Sequence, residues 1–240
     1  MLKIYAQSIK MTSKRYIHKS KKDRDTKTTF IILCSQKSNK RGYSNIPLLK
    51  TNSSEYLIDQ QINVINNLYK NNEIIVISGF ENEKLVSHIR EKEYQTVRVL
   101  NNQNYKMTGA LECWILGLNV SLAQDTYIIH GDRTFDESFL TNAKDTHTFV
   151  HDFNKNNYNL GILSEDNKLL NISYGLPNVW SEIFFISKED FHTSRDLIND
   201  CKKRKLYSID SFINALSQEI PISVFSKKGS NIKTLKEIEI

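Results

Sequence analysis

The chain has 240 residues, of which 39% are hydrophobic and 10% aromatic, and its formal net charge at pH 7 is +6. This composition excludes disordered and fibrous proteins, and the length suits one full-size domain with a large core. No apolar run approaches the roughly 18 residues of a membrane-spanning helix. Residues 1–27 also lack the apolar stretch of a signal peptide, so we expect a cytoplasmic protein with no membrane partner.

The positive charge is concentrated in the first 27 residues. They hold nine Lys or Arg and two Asp, so they carry +7 and the rest of the chain carries −1. We therefore predict a basic, flexible N-terminal arm over residues 1–27 and a single near-neutral domain over residues 28–240. The arm is either a solvated terminus or a contact for nucleic acid or another acidic partner. The many Asn and Lys residues are typical of AT-rich coding, as in some phages and viruses, which adds host cytoplasm or a virion as locations.

The hydrophobic pattern predicts alternating strands and helices up to Phe139. The predicted strands are Thr28–Cys34, Glu73–Ser78, Thr96–Leu100 and Tyr127–Ile129. The predicted helices run from a Ser53 or Ser54 cap to about Lys70, then over Glu81–Glu93 and Thr108–Gln124. Such alternation predicts right-handed crossovers and an α/β fold, with a mostly parallel central sheet between two layers of helices.

After Phe139 the pattern changes to short strands with hairpin-like breaks at Asn154–Asn157 and Glu165–Asn167. The predicted strands are Thr148–Phe153, Asn159–Leu163, Leu169–Ser173, Val179–Ile186 and Pro221–Phe225. Two further helices are predicted, one after Ser187 and one over Ser208–Gln218.

The segment most informative about function is the exit of the Tyr127–Ile129 strand, which reads His130-Gly131-Asp132. A buried strand that stops on Gly-Asp places a carboxylate at the carboxyl end of the sheet, where open α/β sheets bind ligands. Asp132 is therefore a candidate ligand for a divalent cation on a phosphate chain. An ordinary turn explains Gly and Asp there equally well.

Taken in order, several short segments resemble those of the sugar-phosphate and phosphocholine nucleotidyltransferases, and the resemblance covers residues 28–240. The segments are Phe30–Arg41, Pro47-Leu48-Leu49, Ser78-Gly79-Phe80, Asn101-Asn102, Ile129–Asp132, Val179–Ser187, Ser208–Val224 and Asn231–Thr234. The resemblance implies the nucleotide-diphospho-sugar transferase fold, which is a Rossmann-like three-layer αβα arrangement. It also implies transfer of a nucleoside monophosphate from CTP, UTP or a similar NTP to a sugar phosphate or phosphocholine, with release of pyrophosphate.

The same resemblance implies where the nucleotide binds. The implied nucleotide-binding residues are Ser35, Gln36, Lys37, Asn101 and Asn102, and Lys40 and Arg41 are candidate catalytic cations of the phosphate loop. Lys50, just after Pro47-Leu48-Leu49, is a third candidate, as a substitute for the lysine that the family places directly before this motif. A solvated basic loop and an Asn-rich turn would account for the same residues without any ligand.

The resemblance further implies that Asp132 binds Mg²⁺ and that Tyr174, Trp180 and Glu182 line the acceptor pocket. Two aromatic rings with a carboxylate suit a quaternary ammonium such as choline. The alternative is that these aromatic residues belong to the core and its rim.

Three positions depart from the family pattern. The loop after Cys34 has no glycine before Gly42, Ile46 stands where the family places a lysine, and Lys233 stands where it places a second metal-binding aspartate. The alternative is therefore a catalytically inactive member of the fold, acting as a binding or structural module, possibly of a phage or virus, attached through its basic arm. A glycosyltransferase is a further alternative, but Asp132-Arg133-Thr134 lacks the second carboxylate of a D-x-D motif.

Overall fold

The computed structural model of the chain describes residues 28–36, 45–51, 54–140, 144–151, 159–203, 208–227 and 232–234. Its helices in these ranges are α1 (Leu57–Leu68), α2 (Asn82–Glu91), α3 (Ala110–Val120), α4 (Phe191–Lys203) and α5 (Ile209–Glu219). Its strands there are β1 (Thr28–Cys34), β2 (Asn72–Ser78), β3 (Val97–Asn101), β4 (Asp125–His130), β5 (Arg133–Thr134), β6 (His147–His151), β7 (Leu160–Glu165), β8 (Lys168–Tyr174), β9 (Asn178–Ile186), β10 (Ser223–Ser226) and β11 (Lys233–Thr234). The predicted arm and the candidate residues Lys37, Lys40 and Arg41 lie outside the described residues.

The first half of the main sheet is parallel, in the order β3-β2-β1-β4. Every residue of β1 is buried, because helices cover both faces of the sheet. Side chains alternate across a strand, so Ile31 packs in one core with α3, α4 and α5, and Ile32 packs in the other with α1 and α2. The predicted three-layer α/β fold is confirmed.

The second half of the sheet is mixed. β9 pairs antiparallel with β4, and the order continues through β6, β10, β8 and β7. Among these strands β6 and β10 pair parallel, whereas the other pairs are antiparallel. The hairpin between β7 and β8 confirms the break predicted at Glu165–Asn167, where Asp166 and Asn167 both have positive φ.

The helix starts show where side-chain capping operates. Ser208 caps α5, since its side chain accepts a hydrogen bond from the backbone N–H of Ser211. The predicted serine cap of α1 was wrong: Tyr56 is the N-cap without a side-chain bond, and Ser54 has a φ of 62°. None of the helices in the described ranges has the length and apolarity to cross a membrane.

Candidate functional site

The carboxyl ends of β1, β2 and β4 meet at one edge of the sheet. Cys34 pairs with Ser78 and Leu33 pairs with His130, so the strands end level with one another. A cleft opens at this edge, and its described lining residues are Leu33, Cys34, Ser35, Gln36, Ile46, Pro47, Ala110, Cys113, His130, Gly131 and Asp132. Asp132 therefore lies at the carboxyl edge of the sheet, where the sequence predicted it, and lines the cleft there.

Gly131 allows the chain to leave β4 directly against β1. Its N–H donates to Leu33 O at 2.9 Å. A Cβ atom at this position would lie 2.5 Å from Cys34 Sγ and 2.7 Å from Leu33 O, closer than any real contact. A residue with a side chain would have to move away from β1, and the exit that carries Asp132 would move with it.

Asp132 belongs to a compact cluster of charged side chains with His130, Arg133 and Glu182. Arg133 Nη2 bonds Glu182 Oε2, and Arg133 Nε lies 3.4 Å from Asp132 Oδ1. His130 Nδ1 lies 3.0 Å from Glu182 Oε2. Burial alone would raise the pKa of Glu182, but the charges of Arg133 and His130 outweigh it and hold that pKa well below its usual range.

A buried side chain of α1 supports this cluster, and the cluster includes a residue with a strained backbone. Gln61 of α1 is buried, and its side-chain amide donates to His130 O at 3.0 Å and to Arg133 O at 2.7 Å. Glu182 has a φ of 57° within β9, near a register shift in the pairing of β6 with β9. A non-glycine residue in this backbone region is strained, and such strain concentrates at functional sites.

The cluster also offers ligand atoms for a metal ion. One atom each of His130, Asp132 and Glu182 lie within 4.8 Å of one another. Asp132 Oδ1 and His130 Nε2 are buried without a hydrogen bond in the structure. Asp132 is therefore not the lone carboxylate that the sequence indicated, because Glu182 stands beside it. The donor set is compatible with a divalent cation.

Two of the predicted nucleotide-binding side chains are already used inside the protein. Ser35 is buried and its hydroxyl lies 2.9 Å from Cys113 Sγ. Asn102 is 2% exposed; its amide donates to Thr108 Oγ1 at 3.0 Å and accepts from Asn104 N at 3.1 Å. Both side chains therefore have partners within the protein, although Ser35 also lines the cleft. Gln36 and Asn101 are exposed, and Gln36 lines the cleft.

Lys50 is not among the described residues that line the cleft. Its ammonium lies 5.5 Å from the ring centroid of Tyr56, and the two residues form an isolated β-bridge. Ile46, at the position of the family lysine, does line the cleft and presents an apolar side chain there. The expected substitution of Lys50 for that lysine is thus not supported by its position.

The three predicted acceptor-pocket residues do not form an aromatic cage. Trp180 is 2% exposed and donates from Nε1 to Thr148 Oγ1 at 2.7 Å, so it is a core residue. Tyr174 ends β8 and is 69% exposed. Glu182 faces the charged cluster and is bonded to Arg133. The core-and-rim alternative therefore describes the aromatic residues better.

The two cysteines of the cleft have buried thiols. Burial raises the pKa of the Cys34 and Cys113 thiols, which disfavours the thiolate form that acts as a nucleophile.

No family model matches the sequence, and no curated protein matches it. Solved structures show instead that the chain has the fold of the nucleotidyltransferases that act on phosphorylated small molecules. It is similar to CTP:phosphocholine cytidylyltransferase from Streptococcus pneumoniae, with 18% identity, a TM-score of 0.74 and coverage of 87% of this chain and 93% of that one.

Two further solved structures share the fold. The nucleoside-diphosphate-sugar pyrophosphorylase from Vibrio cholerae is 13% identical with a TM-score of 0.67, covering 86% of this chain and 95% of that one. The inositol-1-phosphate CTP transferase from T. maritima is 12% identical with a TM-score of 0.62, covering 87% and 89%. The expected nucleotide-diphospho-sugar transferase fold is thus confirmed, while identities this low show the fold alone.

Proposed function

We propose that the chain transfers a nucleoside monophosphate from an NTP of the CTP or UTP type to a small phosphorylated acceptor. The observation that carries the proposal is the position of Asp132, which lines the cleft at the carboxyl edge of a sheet with this fold. A phosphate oxygen of the acceptor attacks the α-phosphorus of the NTP, the bond from that phosphorus to the bridging oxygen breaks, and pyrophosphate leaves.

The protein needs no covalent step for this reaction, because positioning and charge stabilisation supply most of the catalysis of nucleotidyl transfer. Ile46, Pro47 and Ala110 give the cleft an apolar wall that excludes water and suits the face of a base. Gln36, exposed at the same cleft, offers an amide for polar groups of the ligand. Asp132 is the residue that would hold Mg²⁺, which when bound neutralises charge on the triphosphate.

The charged cluster favours a sugar phosphate over phosphocholine as the acceptor. A quaternary ammonium needs an available carboxylate or an aromatic face. Glu182 is already neutralised by Arg133, and the indole of Trp180 is buried in the core. A hydroxyl-rich acceptor such as a sugar phosphate does not need an unpaired carboxylate in its pocket.

The second candidate is a non-catalytic nucleotide-binding or structural module. Ile46 supports it, because an apolar side chain lines the cleft where the resembling enzymes place a lysine. Such a protein would bind nucleotide without releasing pyrophosphate, and its basic N-terminal arm would attach it to nucleic acid or another acidic partner.

Calorimetry with each NTP and Mg²⁺, together with a pyrophosphate-release assay on sugar phosphates and phosphocholine, separates these candidates. Asp132→Ala is expected to weaken Mg²⁺-dependent NTP binding by at least about tenfold, since it removes a carboxylate at the cation. The matched control is Asp196→Asn on α4, whose side chain is 76% exposed and lies in another part of the fold. Absence of NTP binding at millimolar concentration, or an Asp132→Ala variant that binds like wild type, would refute the transferase. Binding without pyrophosphate release would support the module, and binding of nucleotide sugars alone would favour a glycosyltransferase.

A further inference from the structure

Lys233 stands at the position to which the family resemblance assigns the second metal-binding carboxylate. Lys233 is exposed on β11, which pairs with β5 so that Lys233 lies opposite Thr134. An ammonium group cannot ligate a metal ion. If a divalent cation binds beside Asp132, its second carboxylate must come from another part of the fold.

The antiparallel pairing of β4 with β9 brings such a carboxylate to the site. Ile129 pairs with Ile183, which places Glu182 beside His130 at the end of β4. The resulting donors are one imidazole and two carboxylates, with ligand atoms within 4.8 Å of one another. A set with one nitrogen and carboxylate oxygens suits Mn²⁺ better than Mg²⁺, which prefers oxygen ligands alone.

We propose that Asp132, Glu182 and His130 form a divalent-cation site, and that the guanidinium of Arg133 neutralises its carboxylates when no cation is bound. The proposal shares Asp132 with the proposed function and adds the two other ligands and the competing cation. Arg133 is buried and contacts both carboxylates, so a metal ion and the guanidinium compete for the same oxygens.

The charges explain why the cation would bind weakly on its own. Two carboxylates and one guanidinium leave a single net negative charge, which is too little for a dication. An NTP in the cleft adds negative charge and restores the balance, whereas removal of Arg133 achieves the same without nucleotide. The contacts of Glu182 with Arg133 and His130 hold its carboxylate in the cluster.

The test measures Mn²⁺ affinity by calorimetry, without nucleotide, on wild type and on Arg133→Gln, Glu182→Gln and Asp196→Asn. Arg133→Gln is expected to bind Mn²⁺ at least about tenfold more tightly, because it removes a unit positive charge that lies against both carboxylates. Glu182→Gln is expected to bind at least about tenfold more weakly, and Asp196→Asn should match wild type. An Arg133→Gln variant that binds no more tightly, or a Glu182→Gln variant that binds as wild type does, would overturn the proposal.

Two further measurements keep the proposal testable if Arg133→Gln folds poorly. The first is the thermal midpoint of Arg133→Gln, which should fall because Glu182 is left unpaired and should recover with added Mn²⁺. The second is pulsed electron paramagnetic resonance of wild type with saturating Mn²⁺, which should show a nitrogen coupling that His130→Asn abolishes. A wild-type spectrum without that coupling excludes His130 as a ligand and overturns the site as stated.

The outcomes also separate this proposal from the proposed function. If NTP binds while Glu182→Gln leaves Mn²⁺ affinity unchanged, the cation site is wrong and the transferase proposal stands. If Mn²⁺ binds through Glu182 while no NTP binds, the cation site stands and the transferase proposal fails.

Discussion

Substitution of Gly131 by alanine tests the geometry on which the site depends. The added methyl group would lie 2.5 Å from Cys34 Sγ and 2.7 Å from Leu33 O, whereas normal carbon contacts are about 3.5–4.0 Å. Leu33 O belongs to the buried central strand and already accepts the Gly131 N–H at 2.9 Å, so it cannot withdraw without loss of that bond. Overpacking of about 1–3 kcal/mol and a hydrogen bond of about 1 kcal/mol give an expected loss of about 2–4 kcal/mol in the free energy of unfolding.

The assay is urea denaturation of wild type, Gly131→Ala, Cys34→Ala alone and two comparison variants. Gly175→Ala is the first, because a Cβ there meets nothing within 4 Å and only its φ of +83° opposes the change, at about 1–2 kcal/mol. The second is Gly131→Ala combined with Cys34→Ala, which removes one of the two close contacts. Its loss should be smaller than the sum of the single losses by about 1 kcal/mol. A Gly131→Ala variant within about 0.5 kcal/mol of wild type would refute the reasoning.

The remaining predictions concern the buried His147 and the hydrogen bonds that Gln61 donates to the turn after β4. Burial lowers the pKa of His147 from 6.5 to about 4. The unfolded chain therefore takes up a proton that the folded chain does not, and the free energy of unfolding should fall by about 3 kcal/mol as pH drops from 7 to 4. Urea titrations across this range should show that this contribution of about 3 kcal/mol is absent from His147→Phe, which keeps an aromatic ring against Phe185. An equal fall in wild type and His147→Phe would contradict the prediction. Gln61→Leu leaves the carbonyls of His130 and Arg133 without the hydrogen bonds that Gln61 donates, so its free energy of unfolding should fall by about 2–3 kcal/mol in the same assay. The control is Asn67→Gln, an exposed position on the same helix. A loss of stability in Gln61→Leu no larger than that in Asn67→Gln would show that the Gln61 hydrogen bonds do not stabilise the turn.

Local patterns were enough to predict the fold. The continuous apolar run of β1 indicated a strand buried on both faces, and the Gly131-Asp132 exit indicated the edge where the cleft lies. Both are properties of neighbouring residues, which periodicity and turn chemistry record.

The composition of the site could not be predicted in the same way. Arg133 meets Glu182 only because β9 pairs antiparallel with β4 in one particular register. Both strands are buried on both faces, so their apolar runs show no alternation from which that register could be predicted. Asn102 and Ser35 have the side chains of ligand-binding residues, but the turn after β3 and helix α3 bury them. Which atoms a polar side chain satisfies is decided by packing and not by its type.

Glu182 has a strained, left-handed backbone conformation within strand β9. Glycine would adopt the left-handed backbone without penalty, whereas glutamate does so at a cost of about 1–3 kcal/mol. Glycine would relieve the backbone strain, but it would remove the carboxylate that pairs with Arg133 and leave a buried guanidinium without its counter-charge. At position 182 the strained backbone and the charged centre therefore come together, and a substitution that relaxes the one removes the other.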